Sequence, residues 1–253
     1  QPKEVEKVEL IDRPGVRYGE NVGIVLNIIT RKVTSGYVVG ASGTLVPKAD
    51  MVKGNAYTKN NSGNNELSIS YSGYYRHSNG MNEVEHTEYL MADNKYCKVE
   101  RNTNDIINRN TMHDIQARYS WINADGSAFL TTLSTSIDNN PRDFRKTDVA
   151  YSDGRNTTET IDNSEKTISP LLDLTFKTQL GKSQSLVANA TGSYTHTDYA
   201  YLFISDDTSF GYNTLGKTWS LKSEAIYENR MKPFTLSAGL RYAQKYIDND
   251  YSG

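Results

Sequence analysis

Apolar and polar side chains alternate along most of this chain, a pattern that predicts β-strands with one apolar and one polar face. The clearest segment runs from Phe234 to Tyr246, where every even position except Gln244 is apolar or aromatic. A period of two is typical of a strand, because successive side chains point to opposite faces. The segment is longer than the usual globular strand of about 5–6 residues and reaches the roughly 9–11 residues that cross a bilayer at a tilt. We interpret it as a membrane-barrel strand.

The same alternation predicts a meander of nine strands after residue 35. In the fifth of these strands, Phe129, Leu133 and Ile137 share one side. In the eighth, Trp219 and Leu221 lie on the apolar side. The fold class we predict is all-β: a transmembrane antiparallel β-barrel, partial and built as an up-and-down meander. The predicted strands are 36–46, 51–61, 66–77, 111–122, 127–137, 168–180, 184–197, 218–231 and 234–246.

The connections between these strands differ in length and sort to two ends. Short turns with turn-forming residues occupy 62–65, 123–126, 181–183 and 232–233, whereas long polar stretches occupy 78–110, 138–167 and 198–217. Because consecutive strands run in opposite directions, alternate connections lie at the same end of the sheet. All the long stretches, together with the short connection at 47–50, therefore lie at one end. Outer-membrane barrels have short periplasmic turns and long extracellular loops, so this sorting favours the membrane interpretation. Parts of the long stretches, at 85–91 and 95–101, look extended enough to continue as hairpins.

Composition bounds the class of protein. The 253 residues suffice for one large β domain, and only 36% are hydrophobic, with a mean hydropathy of -0.65. No run approaches the roughly 18 apolar residues of a membrane helix, although a barrel commits only alternate residues to lipid. The 18 Tyr suit a bilayer interface. A net charge of -2 gives no basic surface for nucleic acid.

Candidate chemistry is sparse. Cys97 is alone, so no internal disulfide or cysteine-based metal site is expected. Asp206 and Asp207 lack calcium-loop spacing, and no G-x-S-x-G, H-E-x-x-H or phosphate-loop motif occurs. We therefore expect no enzyme activity, no catalytic residue, no metal and no cofactor. The four histidines are scattered without ligand spacing: His77, His86, His113 and His196.

Aromatic residues divide into two groups. One group shares the apolar side near strand ends and is interpreted as an interface girdle rather than a glycan-stacking platform: Tyr75, Trp121, Trp219, Tyr227, Tyr242 and Tyr246. The other group lies in the long polar stretches and supplies the candidates for ligand contact: Tyr89, Tyr96, Tyr151, Phe203, Phe210 and Tyr212.

The first residues differ from the meander. An apolar strand at 5–11 is broken by Arg13-Pro14-Gly15, and a brief turn is predicted at 16–19. A nearly continuous apolar strand follows at 23–30, the pattern of a strand covered on both faces. We expect this segment to be packed inside a larger structure.

These two segments, VEKVELIDRPGVRYG at 5–19 and GIVLNIITRK at 23–32, resemble the end of the plug domain of TonB-dependent outer-membrane receptors. The chain departs from the family at Asn21-Val22-Gly23, where paired glycines are usual. The resemblance implies that 1–34 is the C-terminal end of a plug and that 35–253 is the N-terminal part of a barrel, incomplete at about nine strands. Over the barrel, the likeness to the Bacteroidetes-type branch lies in patterning rather than in motifs.

The resemblance also implies a location and partners. The expected location is the bacterial outer membrane, and the expected function is uptake of a nutrient (a metal chelate, a glycan or a peptide) through a plugged barrel. Partners would be outer-membrane lipid, the TonB energy-transducing complex and, in some members, a surface lipoprotein. We expect the chain to be a fragment, with the TonB box and most of the plug before Gln1 and further strands after Gly253.

A second interpretation remains open from the pattern alone. The chain could be a soluble or surface-attached all-β module that binds a ligand or glycan, with its apolar faces packed together as a core. Periodicity does not distinguish an apolar face that meets lipid from one that meets another sheet.

Overall fold

The computed structural model describes residues 5–12, 24–30, 35–47 and 50–253. The described chain forms eleven strands. Those from β5 to β10 have 22 to 27 residues each. The strands are β1 (Val5–Asp12), β2 (Ile24–Thr30), β3 (Ser35–Val46), β4 (Met51–Ser62), β5 (Asn65–Leu90), β6 (Tyr96–Ile122), β7 (Ala128–Tyr151), β8 (Asn156–Gln179), β9 (Gln184–Ser205), β10 (Thr208–Met231) and β11 (Phe234–Ser252).

Strands β3 to β11 form one nine-stranded antiparallel sheet in which each strand pairs with the next along the chain. This confirms the predicted nine-strand up-and-down meander. β3 and β11 are the two edges, so the sheet is not closed into a barrel. β1 and β2 form a separate two-stranded antiparallel sheet.

Tight turns join the strands at one end of the sheet, as predicted. In the turn after β6, the Asn123 amide donates to the Ser127 carbonyl at 2.8 Å and the Gly126 amide donates to the Asn123 carbonyl at 3.1 Å. Gly126 has φ of 84°, a left-handed conformation that glycine adopts without a steric penalty. The Asp125 carboxylate also accepts from the Ser127 amide at 2.8 Å. The sequence Asn-Ala-Asp-Gly therefore specifies this reversal.

The predicted long loops are wrong, because the structure continues the strands through them; the hairpin expected for 85–91 and 95–101 is present as the paired ends of two of these strands. Residues 78–110, 138–167 and 198–217 are the upper parts of the hairpins β5–β6, β7–β8 and β9–β10. Only 91–95, 152–155 and 206–207 lie outside strands at their tips. We call residues 78–110, 138–167 and 198–217 the first, second and third extensions, respectively. The rest of β3–β11 is the base sheet. The sequence pattern failed here because the extensions are polar on both faces for much of their length.

Five register shifts also disrupt the sequence pattern in the first two extensions. The pairing shifts between Asn79 and Met81, between Met81 and Glu83, between Thr103 and Asp105, and between Arg109 and Thr111. Another shift lies between Asn140 and Asp143. An extra residue moves all the following side chains to the opposite face, so a strict period of two is lost. The pairing of β9 with β10 and of β10 with β11 has no such shift.

Side-chain packing is concentrated in the extensions. Val99, Ile106 and Val149 are the buried hydrophobic residues of the described chain, and all lie in the first two extensions. Thr103, also buried, shares a hydrogen bond of 2.9 Å with Thr147 across the same strands. The base sheet is a single layer in which both faces are largely accessible.

The burial expected for the second apolar strand is not found among the described residues. In the β1–β2 ribbon, Leu10 lies opposite Leu26, and both are exposed, as are Val8 and Ile24. A two-stranded ribbon has no second layer to cover either face. The turn predicted at 16–19 lies outside the described residues.

Candidate functional site

The register of the base sheet places most apolar side chains of its nine strands on one face. Leu172 of β8 lies between Leu133 of β7 and Gly192 of β9. Gly192 in turn lies opposite Leu221 of β10. Directly opposite residues in an antiparallel pair share a face, so the apolar positions are continuous across the strands. We call this the apolar face. It includes Val39, Ala41, Ala56, Leu67, Ile69, Ala117, Tyr119, Leu133, Leu172, Leu174, Ala190, Leu221, Ala225, Leu236 and Leu240.

The other side of the base sheet, the polar face, carries charges and hydroxyl groups. The Thr191 hydroxyl donates to the Asp173 carboxylate at 2.8 Å. Lys59 pairs with Glu66, with 2.8 Å between Nζ and Oε2. Arg118, Lys177, Glu224 and Arg241 lie on the same face.

The apolar face is accessible rather than packed. Leu240 is 82% exposed, Leu133 is 55% exposed and Leu236 is 54% exposed. Burying a leucine side chain stabilises a protein by about 1.5–3 kcal/mol. The exposed leucines of this face do not contribute that stabilisation while they remain in contact with water. Covering this face would therefore add substantially to the stability of the base sheet.

Aromatic rings lie at both ends of the apolar face. Near the extensions, the ring centroids of Tyr194 and Trp219 are 4.2 Å apart, and Trp219 is opposite Tyr246. Near the tight turns, Trp121 is opposite Phe129, whose ring centroid is 6.4 Å from that of Tyr119. All six residues predicted as a girdle lie on this face: Tyr75, Trp121, Trp219, Tyr227, Tyr242 and Tyr246.

On the third extension, five aromatic rings form a continuous zigzag, which we call the aromatic ladder. Phe203 is opposite Phe210, with ring centroids 5.2 Å apart, and Tyr201 is opposite Tyr212, with centroids 5.3 Å apart and planes 25° from parallel. Tyr201 also contacts Phe210 at 5.8 Å, and Tyr199 contacts Tyr212 at 6.0 Å. The unbroken register of β9 places the ladder on the continuation of the polar face. Desolvation raises the pKa of Tyr199, and its interactions with Tyr212 raise that pKa further.

The structure assembles three of the six ligand candidates into this ladder: Phe203, Phe210 and Tyr212. All six lie on strands rather than in loops. Tyr199 and Tyr201 were not among the residues predicted from the sequence. Their spacing was the available signal, since Tyr199, Tyr201 and Phe203 alternate and match the alternation of Phe210 and Tyr212.

Tyr89 and Tyr151 lie on the same face as the ladder, but at the tips of the first two extensions. A hydrogen bond with Tyr89 raises the pKa of Arg101, which also lies 3.9 Å from Glu85. Tyr151 lies opposite Val99, and the Arg155 guanidinium is 4.7 Å from the centre of its ring. Tyr96 lies opposite Leu90 on the other face. These three candidates therefore do not form one site with the ladder.

The histidines are not brought together. His113 stacks on Tyr71, with a hydrogen bond of 2.8 Å, and His196 stacks on Tyr194. His77 accepts from Arg109, and His86 lies 3.8 Å from Glu100. Within the described ranges, no three His, Cys, Asp or Glu side chains are grouped as a metal site. The same residues contain no helix with the length and apolar character needed to cross a membrane.

Comparison with known proteins identifies no relative: no family model, no curated protein and no solved structure matches the chain.

Proposed function

We propose that this chain forms part of the wall of an outer-membrane β-barrel, in a TonB-dependent receptor that takes up a nutrient. The observation that carries the proposal is the apolar face, which runs across all nine strands of the base sheet opposite a charged face. Lipid would cover the apolar face, and the charged face would line a hydrated interior. No covalent chemistry is part of this function.

The dimensions of the base sheet support the proposal. Tyr227 and Trp219 of β10 both lie on the apolar face, near its two ends. At about 3.4 Å per residue they are roughly 27 Å apart along the strand, or about 21 Å along the normal of a barrel tilted by about 40°. Aromatic girdles of outer-membrane barrels flank an apolar band of about 25 Å.

The edges of the sheet set a condition on the proposal. Unpaired backbone groups cost several kcal/mol each in hydrocarbon, so an open sheet is not stable in a bilayer. β3 and β11 must therefore have partners in the assembled barrel. The proposal of a plug and of coupling to TonB rests on the resemblance of residues 5–32 to the end of the family's plug. A surface lipoprotein as a further partner rests on the resemblance to the Bacteroidetes-type branch.

The two tryptophans provide a test, because both lie on the apolar face near opposite ends. The full-length protein is reconstituted into vesicles of ordinary phosphatidylcholine and of phosphatidylcholine brominated on its acyl chains. Bromine quenches tryptophan fluorescence on contact. We expect strong quenching of Trp121 and Trp219, each measured alone in the W219F and W121F variants.

A matched control moves the probe by one residue. In a W121F/W219F/S220W protein, the new indole lies on the polar face. We expect it to be quenched by aqueous acrylamide and little affected by brominated lipid. The alternative, a soluble β module, predicts that native Trp121 and Trp219 are sealed in a protein core. Fluorescence of the native tryptophans that neither brominated lipid nor acrylamide quenches would overturn the membrane proposal.

A further inference from the structure

The aromatic ladder is not explained by a role in the barrel wall. Its rings lie beyond the base sheet and on the side of the polar face, where the proposed barrel is filled with water. Cross-strand aromatic pairs stabilise a hairpin modestly, which accounts for part of the arrangement. The free ring faces remain: Phe210 is 51% exposed and Tyr212 is 40% exposed. Contiguous exposed rings on a hydrated surface mark a contact site.

The groups beside the ladder are acidic. Glu165 of β8 is directly opposite Tyr199. Asp138 of β7 lies opposite Thr167, two residues from Glu165, and Asp114 of β6 lies opposite Ser136, two residues from Asp138. The three carboxylates therefore form a diagonal line that leads across the sheet to the tyrosines.

These carboxylates lack cationic partners in the part of the chain that the structure describes. None of the three has a Lys, Arg or His nitrogen within the ion-pair distance of 4.0 Å there. The nearby Arg145 is paired with Asp143 at 3.7 Å. Arg76, on the same face, donates to Ser78 at 2.9 Å and points at the Met81 sulfur.

The titration of Asp138 agrees with this uncompensated charge. Desolvation raises the pKa of Asp138, and the negative charges of Glu165 and Asp114 raise it further, against the effect of a hydrogen bond from Asn110. A cation placed beside these groups would relieve the repulsion between them.

We propose that the ladder and the three carboxylates bind an extended basic peptide, through guanidinium groups that stack on the tyrosines and pair with Glu165, Asp138 and Asp114. A planar guanidinium stacks on aromatic faces and accepts carboxylate partners at its edges. The inference deepens the proposed function, on which it rests, by naming the ligand class of the receptor.

The outer end of the ladder favours a peptide over a simple polyamine as the ligand. Ile161 is opposite Phe203, which is opposite Phe210, so this end is apolar. An extended peptide with arginines in one half and leucines in the other would place its apolar groups here and its cations on the tyrosine end. An anionic metal chelate is disfavoured, because it would approach three carboxylates.

The test measures peptide binding to the full-length protein in a non-ionic detergent. The probe is a fluorescently labelled hexapeptide of three Arg and then three Leu residues, and its binding is measured by fluorescence anisotropy. Unlabelled Glu–Leu peptide of equal length and a neutral glucose oligosaccharide serve as competitors. We expect displacement by unlabelled Arg–Leu peptide only. We expect the dissociation constant to rise with added salt, because salt screens exposed charges.

Two substitutions locate the site. Glu165→Gln removes a carboxylate without changing its shape, and Tyr201→Leu removes a ring. Each is expected to weaken binding by about two- to fivefold, and the double variant by more than tenfold, as exposed ion pairs and cation–π contacts do. Glu100→Gln and Leu202→Ala, on the opposite face of the sheet, are the controls and should leave the dissociation constant unchanged.

The outcomes separate this inference from the proposed function. Equal weakening by the control variants, or equal displacement by the acidic peptide or the oligosaccharide, would overturn the peptide site. Quenching of Trp121 and Trp219 by brominated lipid would be unaffected by that result. Conversely, loss of lipid quenching with retained, Glu165-dependent binding would overturn the barrel proposal and leave a basic-peptide-binding sheet.

Discussion

The base sheet and the extensions are built from the same strands but are stabilised differently. In the base sheet, apolar and charged residues are separated onto opposite faces, and leucines such as Leu240 and Leu133 are exposed. In the first two extensions, the faces are mixed, bulges change the register, and Val99, Ile106 and Val149 are buried. The extensions thus contain their own packing, whereas the base sheet depends on its surroundings.

Because of this difference, different interactions dominate the stability of the base sheet and of the extensions. Covering the apolar face is worth more than any pairwise contact in the extensions, because hydrophobic free energy scales with buried area. The extensions use cross-strand hydrogen bonds, ring pairs and ion pairs, each worth about 1 kcal/mol or less. Single substitutions should therefore act most strongly at the centre of the apolar face and least at the extension surface.

The largest effect is expected for Leu172→Arg. Leu172 lies between Leu133 and Gly192, on the apolar face. An arginine at the bilayer midplane costs a barrel about 2–4 kcal/mol. Urea titration of the reconstituted protein, followed by tryptophan fluorescence, should show this loss. The control is Thr175→Arg, three residues along the same strand on the polar face, where a loss under about 1 kcal/mol is expected. Equal losses would contradict the assignment of the faces.

The strict alternation in the base sheet explains why its nine strands could be predicted from the sequence. In Phe234–Tyr246 and in the paired β10 segment, most neighbouring residues alternate between an apolar and a polar face. The extensions gave no such signal. Their polar residues resemble loop composition, and the bulges near Asn79, Thr103 and Asn140 interrupt the period.

The second-largest effect is expected for Val149→Ala in the second extension. Val149 is 1% exposed, and the loss of two buried methyl groups costs about 1–2 kcal/mol, including the cavity. Val84→Ala, at a position that is 55% exposed in β5, is the control. Native-state hydrogen exchange should show faster exchange of the backbone amides of β6 and β7 within the first two extensions in Val149→Ala, but not in Val84→Ala. Unchanged protection would mean that the extension is not held by this packing.

The candidate site was predicted only in part, for a related reason. Phe203, Phe210 and Tyr212 could be chosen because they are aromatic residues in a polar stretch. Their contact with Tyr199 and Tyr201 depends on the register of β9 with β10, which is a property of the paired strands rather than of either sequence segment. The same holds for the diagonal of Asp114, Asp138 and Glu165, which lie on three different strands.

A smaller effect, dependent on pH, is expected at Asp138. Burial and neighbouring carboxylates raise the pKa of Asp138 in the folded protein above its ordinary value of 3.8. The folded state therefore holds this proton more tightly than the unfolded state does. The resulting stabilisation is complete below about pH 3.8 and is lost as the pH rises through the folded pKa. Asp138→Asn should then increase stability at pH 7 and have little effect at pH 3.

Denaturant titrations of wild type and D138N at both pH values measure this difference. The Asp138 side chain is half-buried and still partly screened by water, so the gain should be smaller than the loss caused by Val149→Ala. The Asp198→Asn variant, at an exposed position outside the diagonal, controls for the removal of one negative charge. A loss of stability at pH 7 in D138N would show that the carboxylate is compensated by a partner.

The smallest effect compares one ion pair from each region. Lys98 and Glu88 are directly opposite in the first extension, 3.0 Å apart, with side chains 69% and 56% exposed. Lys59 and Glu66 in the base sheet are 2.8 Å apart, with side chains 38% and 41% exposed. Double-mutant cycles with glutamine should give Lys98 and Glu88 a coupling free energy near the lower end of about 0.2–1 kcal/mol. The coupling free energy of Lys59 and Glu66 should be larger, because that ion pair is less hydrated.

The salt dependence of the two ion pairs should also differ. At 1 M salt the Debye length falls to about 3 Å, so the coupling between Lys98 and Glu88 should disappear first. Equal coupling free energies with equal salt dependence would mean that the polar face of the base sheet is as open to bulk water as the surface of the extension. That result would contradict a closed barrel with a confined interior.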